Sequence, residues 1–327
     1  MDKVISFGEA LVDMLSTKID QPSLESQESF IKFPGGAPAN VAAAIGKLGG
    51  RSYFAGKVGD DMFGEFLRDS LAKANVNTDY LLKTNQAKTA LAFVSLDDSG
   101  ERSFEFYRNP SADLYFNRDE FQPSWFSEPG IFHFCSNTLT EADIQQATNH
   151  GIEKAHSAGF IISFDVNLRL NLWSDECDPH AAIWQCIEHS DIVKLSTEEL
   201  VFLCRNESKE SVIQKIQENQ TSLVLITDGA NKMHYYTDTD KGYITPPKVA
   251  MVDSTAAGDA FVGGLLYALA QDNISKTGLA SVTNNKNTLT AALLFACRCG
   301  AYAVTHKGAF SSLPRQQDLK QQHFIKV

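Results

Sequence analysis

The sequence predicts an α/β protein with a doubly wound, mostly parallel sheet, helices on both faces and a small β-sheet lid. Three observations support this fold class. Short apolar runs alternate with helix-like stretches over most of the chain, which is typical of β-α-β units. Several of these runs end directly in polar residues, as strands do at the ligand-binding edge of such sheets. Residues 90–96 and 102–108 are β-like runs with no helix between them, which predicts a separate hairpin.

The first strand is predicted at residues 4–7, an apolar run that is followed by a glycine. Asp13 follows at the expected carboxyl edge of the sheet and is a candidate for binding a hydroxyl group, and a solvated turn acid is the alternative. Further on, Gly35 and Gly36 allow close approach of a ligand. They open a small-residue helix in which Asn40 can both donate and accept hydrogen bonds. The glycine spacing does not match a dinucleotide-binding motif.

A small lid is predicted from two segments, residues 14–33 and 88–110, inserted in a single α/β domain that spans residues 1–327. A hairpin turn is expected at residues 97–100. Phe106 lies on one face of the second β-like run, and a small hairpin cannot bury such a face alone. We therefore expect these segments to form a small sheet that folds over the ligand.

The second half of the chain repeats strand and helix in turn, with polar residues after the strands. Arg169 follows the strand at residues 160–164 and could clamp a phosphate or a sugar, whereas a surface arginine is the alternative. A strand at residues 192–195 leads into Ser196 and Glu199, whose spacing also forms a capping box that needs no catalytic role. The other elements are predicted as strands at residues 52–58, 131–135 and 223–227, and as helices at residues 141–157 and 286–303.

The composition limits the class of protein. With 327 residues, of which 43% are hydrophobic, the chain can bury a large core. Its net charge of −11 argues against a nucleic-acid or anionic-membrane partner. No apolar run is long enough to cross a bilayer, and the first residues do not resemble a signal peptide. Six scattered cysteines indicate reduced thiols and a cytoplasmic location.

Residues 252–266 carry the strongest chemical signal in the sequence. A polar turn runs into the small residues 256–258, then Asp259, then an apolar helix. The first N–H groups of a helix have no intrahelical partner and lie at the positive end of its dipole, so they form an anion site. Asp259 would repel a phosphate and is better explained as a base that takes a proton from an attacking hydroxyl. The simpler alternative is a first-turn acid that only complements the helix dipole.

Together these features resemble the ribokinase-like (PfkB) sugar kinases along nearly the full length of the chain. Both diagnostic regions are present in order: GGAPAN at residues 35–40 followed by GDD at 59–61, and DSTAAGDAFVGGLL at 253–266. A P-loop and the protein-kinase motifs are absent. The resemblance implies a ribokinase-like α/β domain with a β lid that often contributes to a homodimer. It also implies phosphoryl transfer from ATP to a sugar.

The resemblance assigns roles to residues by their position in these motifs. Asp259 would be the catalytic base, and the amides of Ala256, Ala257 and Gly258 would stabilise the transferred phosphoryl group. The residues that would hold the sugar are Asp13, Gly35, Gly36, Asn40, Phe106 and Arg169. Those that would bind ATP are Lys194, Thr227, Gly229 and Asn287. Glu199 would act on Mg²⁺ through water. A potassium site of some members matches Asp253, Thr255, Ala303, His306, Gly308 and Ser312.

Three positions depart from the family pattern. Ser196 replaces Asn in the motif associated with Mg²⁺, Lys232 stands where many relatives have Gly, and Ala256 replaces a common Gly. The family tolerates the change at position 256. The role of position 196 and the shape of the nucleotide loop around Lys232 therefore stay open.

Within the family, several strings are most similar to those of bacterial fructokinases, among them FDVNLR at residues 164–169, VKLS at 193–196 and AVTHKGA at 303–309. The resemblance implies ATP-dependent phosphorylation of D-fructose at its primary 6-hydroxyl. Aminoimidazole riboside, ribose and 2-keto-3-deoxygluconate are alternative substrates. A catalytically silent sugar sensor is the non-enzyme alternative, and Asp259 argues against it because a sensor needs no base. An oxidoreductase is weaker still, since no dinucleotide glycine pattern follows the first strand.

Overall fold

The structure is a computed structural model that describes residues 1–19, 28–96, 102–108, 110–219, 221–271 and 275–321. The hairpin turn predicted at residues 97–100 lies outside the described residues, as does part of the predicted lid segment at residues 14–33. None of the helices in the described ranges combines the length and the apolar character needed to cross a membrane. All six cysteines are described, and they are free thiols.

The strands are numbered in chain order: β1 (Lys3–Phe7), β2 (Leu11–Ser16), β3 (Phe30–Gly35), β4 (Arg51–Gly59), β5 (Leu81–Thr84), β6 (Leu91–Leu96), β7 (Arg102–Tyr107), β8 (Gly130–Cys135), β9 (Ile161–Asp165), β10 (Ile192–Ser196), β11 (Leu223–Thr227), β12 (Met233–Tyr236) and β13 (Lys241–Ile244). In the described residues, nine of them form the large sheet, in the order β13-β12-β11-β10-β9-β8-β1-β4-β5. Its neighbours pair in parallel except β11–β12 and β12–β13, which are antiparallel. The predicted mostly parallel sheet is confirmed.

The helices are α1 (Ala37–Lys47), α2 (Met62–Lys73), α3 (Ala142–Ser157), α4 (Pro179–Ile187), α5 (Thr197–Cys204), α6 (Lys209–Glu218), α7 (Ala257–Ala270), α8 (Lys276–Thr283), α9 (Lys286–Ala303), α10 (Ala309–Ser312) and α11 (Gln316–Gln321). Two hydrophobic clusters separate them into layers. Helices α1, α2, α7 and α9 contribute to one cluster, and α3 to α6 contribute to the other. The sheet lies between the two layers, as the doubly wound prediction requires.

The strands of the large sheet are apolar because both of their faces are covered. Every residue of β1, β8 and β9 is buried, which is typical of central parallel strands. Helix α7 is also apolar nearly all round and is buried from Asp259 onward over most of its length. A helix of this kind must be enclosed by others. It packs between α1 and α9, and this fixes the position of its N-terminus.

A second, smaller sheet is present, with the strand order β3-β2-β6-β7. Strands β6 and β7 form the predicted antiparallel hairpin. The sheet begins earlier than predicted, because β2 starts at Leu11 rather than after residue 14. Asp13 therefore lies inside β2 and not in a loop at the edge of the large sheet. The alternation of side chains along β2 places Asp13 on the same face as its partner Ala92, which pairs in turn with Phe106.

Candidate active site

A cavity of about 590 Å³ lies between the carboxyl edge of the large sheet and the small sheet. Helices α1, α5 and α7 begin at this edge. The cavity brings together predicted site residues that are far apart in sequence: Asp13, Gly36, Asn40, Phe106, Arg169, Lys194, Glu199, Thr255, Ala256, Ala257, Gly258 and Asp259.

The N-terminus of α7 faces this cavity without a side-chain cap. Its N-cap residue, Ala256, has a φ of 58° in the left-handed region, which turns the chain sharply into the helix. The Ala257 amide makes one long bond of 3.3 Å to the Ser254 carbonyl. The Gly258 amide belongs to the first turn, where no intrahelical acceptor is available. A negatively charged group would be stabilised at this point by the amide and by the helix dipole.

Asp259 is the buried acid of the first turn of α7. Its Oδ2 accepts a hydrogen bond of 2.7 Å from Nδ2 of Asn40, in the first turn of α1. Burial raises the pKa of Asp259 to about 7, against the opposing effect of the Asn40 hydrogen bond, and the charge of Asp165 adds to the increase. A carboxyl group with such a pKa is suited to accept a proton near neutral pH. Asn40 sets the orientation of this carboxyl group.

Asp13 is a second carboxyl group in the cavity and is half-buried. Removal from water, with smaller contributions from the charges of Asp259 and Asp253, raises its pKa to about 7. Gly35 does not line the cavity, but a Cβ atom there would overlap the Asp13 carboxylate. Gly36 has a φ of 100°, and a Cβ atom would lie 2.5 Å from the Glu9 carbonyl oxygen. The two glycines therefore make room for Asp13 and for the entry into α1.

Lys194 is buried in β10 and forms an ion pair with Asp165 at the end of β9, with Nζ–O distances of 2.9 and 3.2 Å. Burial favours the neutral amine, but Asp165 and then Glu199 outweigh it and raise the pKa of Lys194. Its ammonium group lies 3.5 Å from where a Cβ atom of Gly258 would be. A permanent cation thus stands beside the anion site.

Glu199 is held by backbone amides at both carboxylate oxygens. Oε1 accepts from the Leu168 amide at 2.9 Å, and Oε2 accepts from the Ser196 amide at 2.7 Å. Ser196 caps α5 in return, so the predicted capping box is confirmed. The bond to Leu168 joins α5 to the loop that carries Arg169. Glu199 lines the cavity with its polar end already fixed, which suits an indirect contact with a metal ion through water.

Of the predicted nucleotide-binding residues, Lys194 lines this cavity and the other three lie beyond its lining. Thr227 ends β11, next to β10, and donates through Oγ1 to the Leu195 carbonyl at 3.3 Å. Gly229 follows with a φ of 54°. Asn287 lies in the first turn of α9, which is capped by Asn285. Thr227 and Gly229 lie at the same edge of the sheet as the cavity. Asn287 lies at the opposite edge, because the start of α9 is joined to the β12–β13 turn by the ion pair of Lys286 with Asp240, and only the end of α9 reaches the cavity edge. The structure therefore does not bring Asn287 together with the other predicted nucleotide-binding residues.

The predicted potassium-site residues lie on two neighbouring loops. Asp253 joins them, because its Oδ1 accepts from Thr255 and its Oδ2 accepts from the Gly308 amide at 3.2 Å. The Val304 carbonyl accepts from the Asp253 amide at 3.1 Å. His306 is exposed and stacks on Tyr302. In the described ranges no group of three His, Cys, Asp or Glu side chains could hold a metal ion, so a cation here would need carbonyl oxygens.

Sequence reasoning missed several residues that line the cavity. These are Glu9, Arg108, Asn137, Asp165 and Asn167. Asp165 and Asn167 follow the strand at residues 160–164 directly, so their position at a strand end was a usable signal. Glu9 likewise follows the first strand. Arg108 and Asn137 carry no local signal that separates them from other polar residues.

The raised pKa of Asp259 gives a pH prediction. A base must be unprotonated to accept a proton, so we expect kcat/KM for the sugar to rise with pH through about 7 and to level off above it. Initial rates measured from pH 5.5 to 9 at saturating Mg·ATP would test this. A flat profile across this range would contradict the assignment of Asp259 as the base.

The left-handed conformation of Ala256 gives a stability prediction. Alanine is strained at a φ of 58° and glycine is not, so Ala256→Gly should raise the free energy of unfolding by about 0.5–1 kcal/mol. Ala256→Val adds a β-branched side chain at the same φ and should lower it by about 2 kcal/mol. Denaturant unfolding of the two variants provides the measurement. Destabilisation by glycine would show that the strain is absent.

The doubly wound sheet, the uncapped helix N-terminus beside a lysine, and the buried carboxyl group facing it define an α/β phosphotransferase site. The model of the pfkB family carbohydrate kinases matches residues 1–316. The chain belongs to this family.

Three of the similar proteins carry the name fructokinase. The structure of fructokinase with bound ATP from Xylella fastidiosa is 44% identical, covers 98% of both chains and has a TM-score of 0.92. A double mutant of fructokinase from Vibrio cholerae O395, with fructose, ADP and potassium ion bound, is 36% identical, covers 100% of this chain and 99% of that one and has a TM-score of 0.86. Fructokinase from Vibrio alginolyticus is 39% identical over 98% of each chain.

Proposed function

We propose that the chain is an ATP-dependent fructokinase that phosphorylates D-fructose at its primary 6-hydroxyl, giving fructose 6-phosphate and ADP. The observation that carries this proposal is the buried Asp259 carboxyl group beside the uncapped N-terminus of α7, in one cavity with polar side chains suited to a sugar. The fructokinases of Xylella and Vibrio, similar over nearly the whole chain, support fructose as the substrate.

In the proposed reaction the 6-hydroxyl of the sugar gives its proton to the Asp259 carboxylate. The hydroxyl oxygen then forms a bond to the γ-phosphorus, the bond between this phosphorus and the β,γ-bridging oxygen breaks, and ADP leaves with that oxygen. Asn40 holds the Asp259 carboxylate in place. Asp13, Gly36 and Arg169 hold the sugar, and Gly35 leaves room for Asp13.

The negative charge of the transferred group is stabilised by the chain itself. The amides at residues 256–258 lie at the positive end of α7, and the Lys194 ammonium stands beside Gly258. We place the rest of the nucleotide along Thr227 and Gly229, at the cavity edge of the sheet. Mg²⁺ would neutralise phosphate charge, and Glu199, whose carboxylate oxygens are already hydrogen-bonded, would act on it through water.

We propose that a monovalent cation binds between the two loops that Asp253 joins. One of them, residues 253–256, leads directly into the N-terminus of α7, and the other, residues 304–308, connects α9 to α10. Thr255, Ala303, His306, Gly308 and Ser312 would complete the site. Such an ion would fix the loop that presents the anion-binding amides. We therefore expect a higher rate of ADP release in potassium chloride than in sodium chloride at equal ionic strength. Equal rates in the two salts would contradict the proposed potassium site.

The small sheet is proposed to act as a lid and as a dimer interface. On its cavity side Phe106 packs with Leu11 and Ala92. Its other side carries a row of aromatic rings, in which Phe93 contacts both Phe30 and the exposed Tyr107 at centroid distances of 5.2 Å. A second copy of the chain would cover this side, giving a homodimer. Light scattering should show a dimer that Tyr107→Lys weakens.

The experiment that tests the proposed function measures ADP release from Mg·ATP with D-fructose, ribose, aminoimidazole riboside and 2-keto-3-deoxygluconate. Fast turnover with fructose and a product phosphorylated at the 6-position, identified by phosphorus NMR, would support the proposal. Turnover with only another sugar would keep the mechanism and change the substrate. No turnover with any of the four sugars, despite ATP binding, would favour a sugar sensor.

The free thiols support a reducing compartment such as the cytoplasm.

A further inference from the structure

Two polar side chains line the cavity but have no part in the proposed mechanism. Glu9 lies between β1 and β2 and is 2% exposed. Asn137 lies in a short 3-10 helix, Ser136–Thr138, directly after β8 and is 6% exposed. Neither position was assigned a role from the sequence. Polar groups buried to this degree need hydrogen-bond partners or a ligand that provides them.

The hydrogen bonds between these residues leave oxygen atoms without a partner. Oε1 of Glu9 accepts from the Ala37 amide at 3.1 Å and from Nδ2 of Asn137 at 3.0 Å. The second bond fixes the Asn137 amide, so that its oxygen points away from Glu9. Among the described residues, Oε2 of Glu9, Oδ1 of Asn137 and Oδ1 of Asn40 are buried with no hydrogen-bond partner.

The two asparagine oxygens are acceptors, and so is the Glu9 oxygen in the ionised carboxylate, whose pKa burial raises while Arg108 and Asn137 act against the increase. This limits the chemistry of the ligand. A buried acceptor that stays unpaired costs free energy, and only a donor can remove that cost. A sugar hydroxyl is such a donor. A phosphate or carboxylate is not, because it presents acceptor oxygens of its own. Three neighbouring acceptors therefore fit a ligand with several free hydroxyl groups.

The charges around Glu9 also favour an uncharged sugar over an anionic one. The Arg108 guanidinium is close, and three of its five N–H groups are used by the protein. Nε donates to Asp113 at 2.8 Å, and the two terminal nitrogens donate to the Asn137 carbonyl at 2.7 Å and to Thr140 at 3.3 Å. The positive charge of Arg108 is thus compensated by Asp113 and by Glu9. The carboxyl groups of Glu9, Asp13 and Asp259 share the cavity, which disfavours an anionic substituent on the sugar.

We propose that Glu9 and Asn137 are specificity-determining residues, which accept hydrogen bonds from sugar hydroxyls and restrict the site to uncharged, polyhydroxylated sugars. This inference rests on the proposed sugar-kinase function and narrows its substrate class. The inference separates fructose from 2-keto-3-deoxygluconate, which would bring a carboxylate into a cavity that already holds the carboxyl groups of Glu9, Asp13 and Asp259.

The test uses Glu9→Gln, which keeps the shape of the side chain and an oxygen for the Ala37 amide but replaces one acceptor by a donor and removes the charge. We expect KM for fructose to rise about tenfold, with kcat within about threefold and KM for ATP unchanged. The ratio of kcat/KM for 2-keto-3-deoxygluconate to that for fructose should rise about tenfold. Asn137→Ala should raise KM for fructose similarly without favouring the acidic sugar. The matched control is Glu153→Gln, at an exposed position on α3.

Sugar binding measured by calorimetry without ATP separates this inference from the proposed function. The melting temperature of Glu9→Gln shows whether the variant folds normally. If it does, and if KM, fructose binding and sugar selectivity are all unchanged, the inference is overturned and the kinase function is left intact. The wild-type protein could instead bind neutral sugars and phosphorylate none of them, which would contradict the proposed kinase function. In that case, weaker sugar binding by Glu9→Gln and Asn137→Ala would still show that Glu9 and Asn137 bind the sugar hydroxyls. Tighter binding of the acidic sugar than of fructose by the wild-type protein would overturn the inference.

Discussion

Asp259→Asn is expected to lower kcat by about 10²–10⁴-fold while the protein still binds fructose and ATP. Asparagine has nearly the shape of aspartate, and its side-chain oxygen can accept the hydrogen bond from Asn40 that Asp259 accepts now. It cannot take the proton of the 6-hydroxyl. The loss should therefore appear in kcat, with little change in KM for fructose, because the substrate contacts of Asp13 and Asn40 remain.

The same substitution is expected to stabilise the protein above neutral pH. The pKa of Asp259 is about 7 in the folded chain and about 3.9 in an unfolded one. Between these values the folded state binds more protons, so the free energy of unfolding falls as pH rises and is constant above about 7. Asparagine does not ionise, so the variant avoids this loss. We expect its free energy of unfolding at pH 8 to exceed that of the wild-type protein by about 1–3 kcal/mol.

Steady-state kinetics and thermal unfolding at pH 5 and pH 8 would measure both effects. Asp143→Asn is the matched control, because Asp143 is an exposed acid in the first turn of α3 and can only complement a helix dipole. It should leave kcat unchanged. A loss of stability without a large loss of kcat in Asp259→Asn would mean that Asp259 only complements the dipole of α7.

Lys194→Met is expected to have the second large effect, on both stability and rate. Removing the buried ammonium leaves the Asp165 carboxylate without its partner, and breaking a buried ion pair in this way costs about 3–5 kcal/mol. The anion site also loses the cation beside Gly258, so we expect kcat to fall about 100-fold or more. Denaturant unfolding and initial rates at saturating substrates are the measurements.

A double variant, Asp165→Asn with Lys194→Met, separates the two effects. It removes both members of the Asp165–Lys194 ion pair, so most of the lost stability should return. The rate should stay low, because the cation is still missing. Recovery of the rate together with the stability would show that Lys194 has only a structural role.

The sequence predicted the elements of the core closely because their signals are local. Strand β11 at residues 223–227 and α9 at residues 286–303 lie where the apolar patterns put them. The start of the small sheet was missed, since Leu11 to Asp13 continues an apolar run that also suits a loop edge of the large sheet. Only the pairing of β2 with β6 decides between the two positions.

The sequence by itself was enough to predict the candidate anion site and its acid, because the small residues at the start of α7 and Asp259 occupy four consecutive positions. It could not determine the rest of the site. Asn40 and Asp259 are 219 positions apart, and Glu9 and Asn137 are 128 apart. Such contacts depend on the order of strands β8 and β1 and on the packing of α1 against α7. A side chain's neighbours across a sheet edge are set by tertiary packing, which no local pattern in the sequence records.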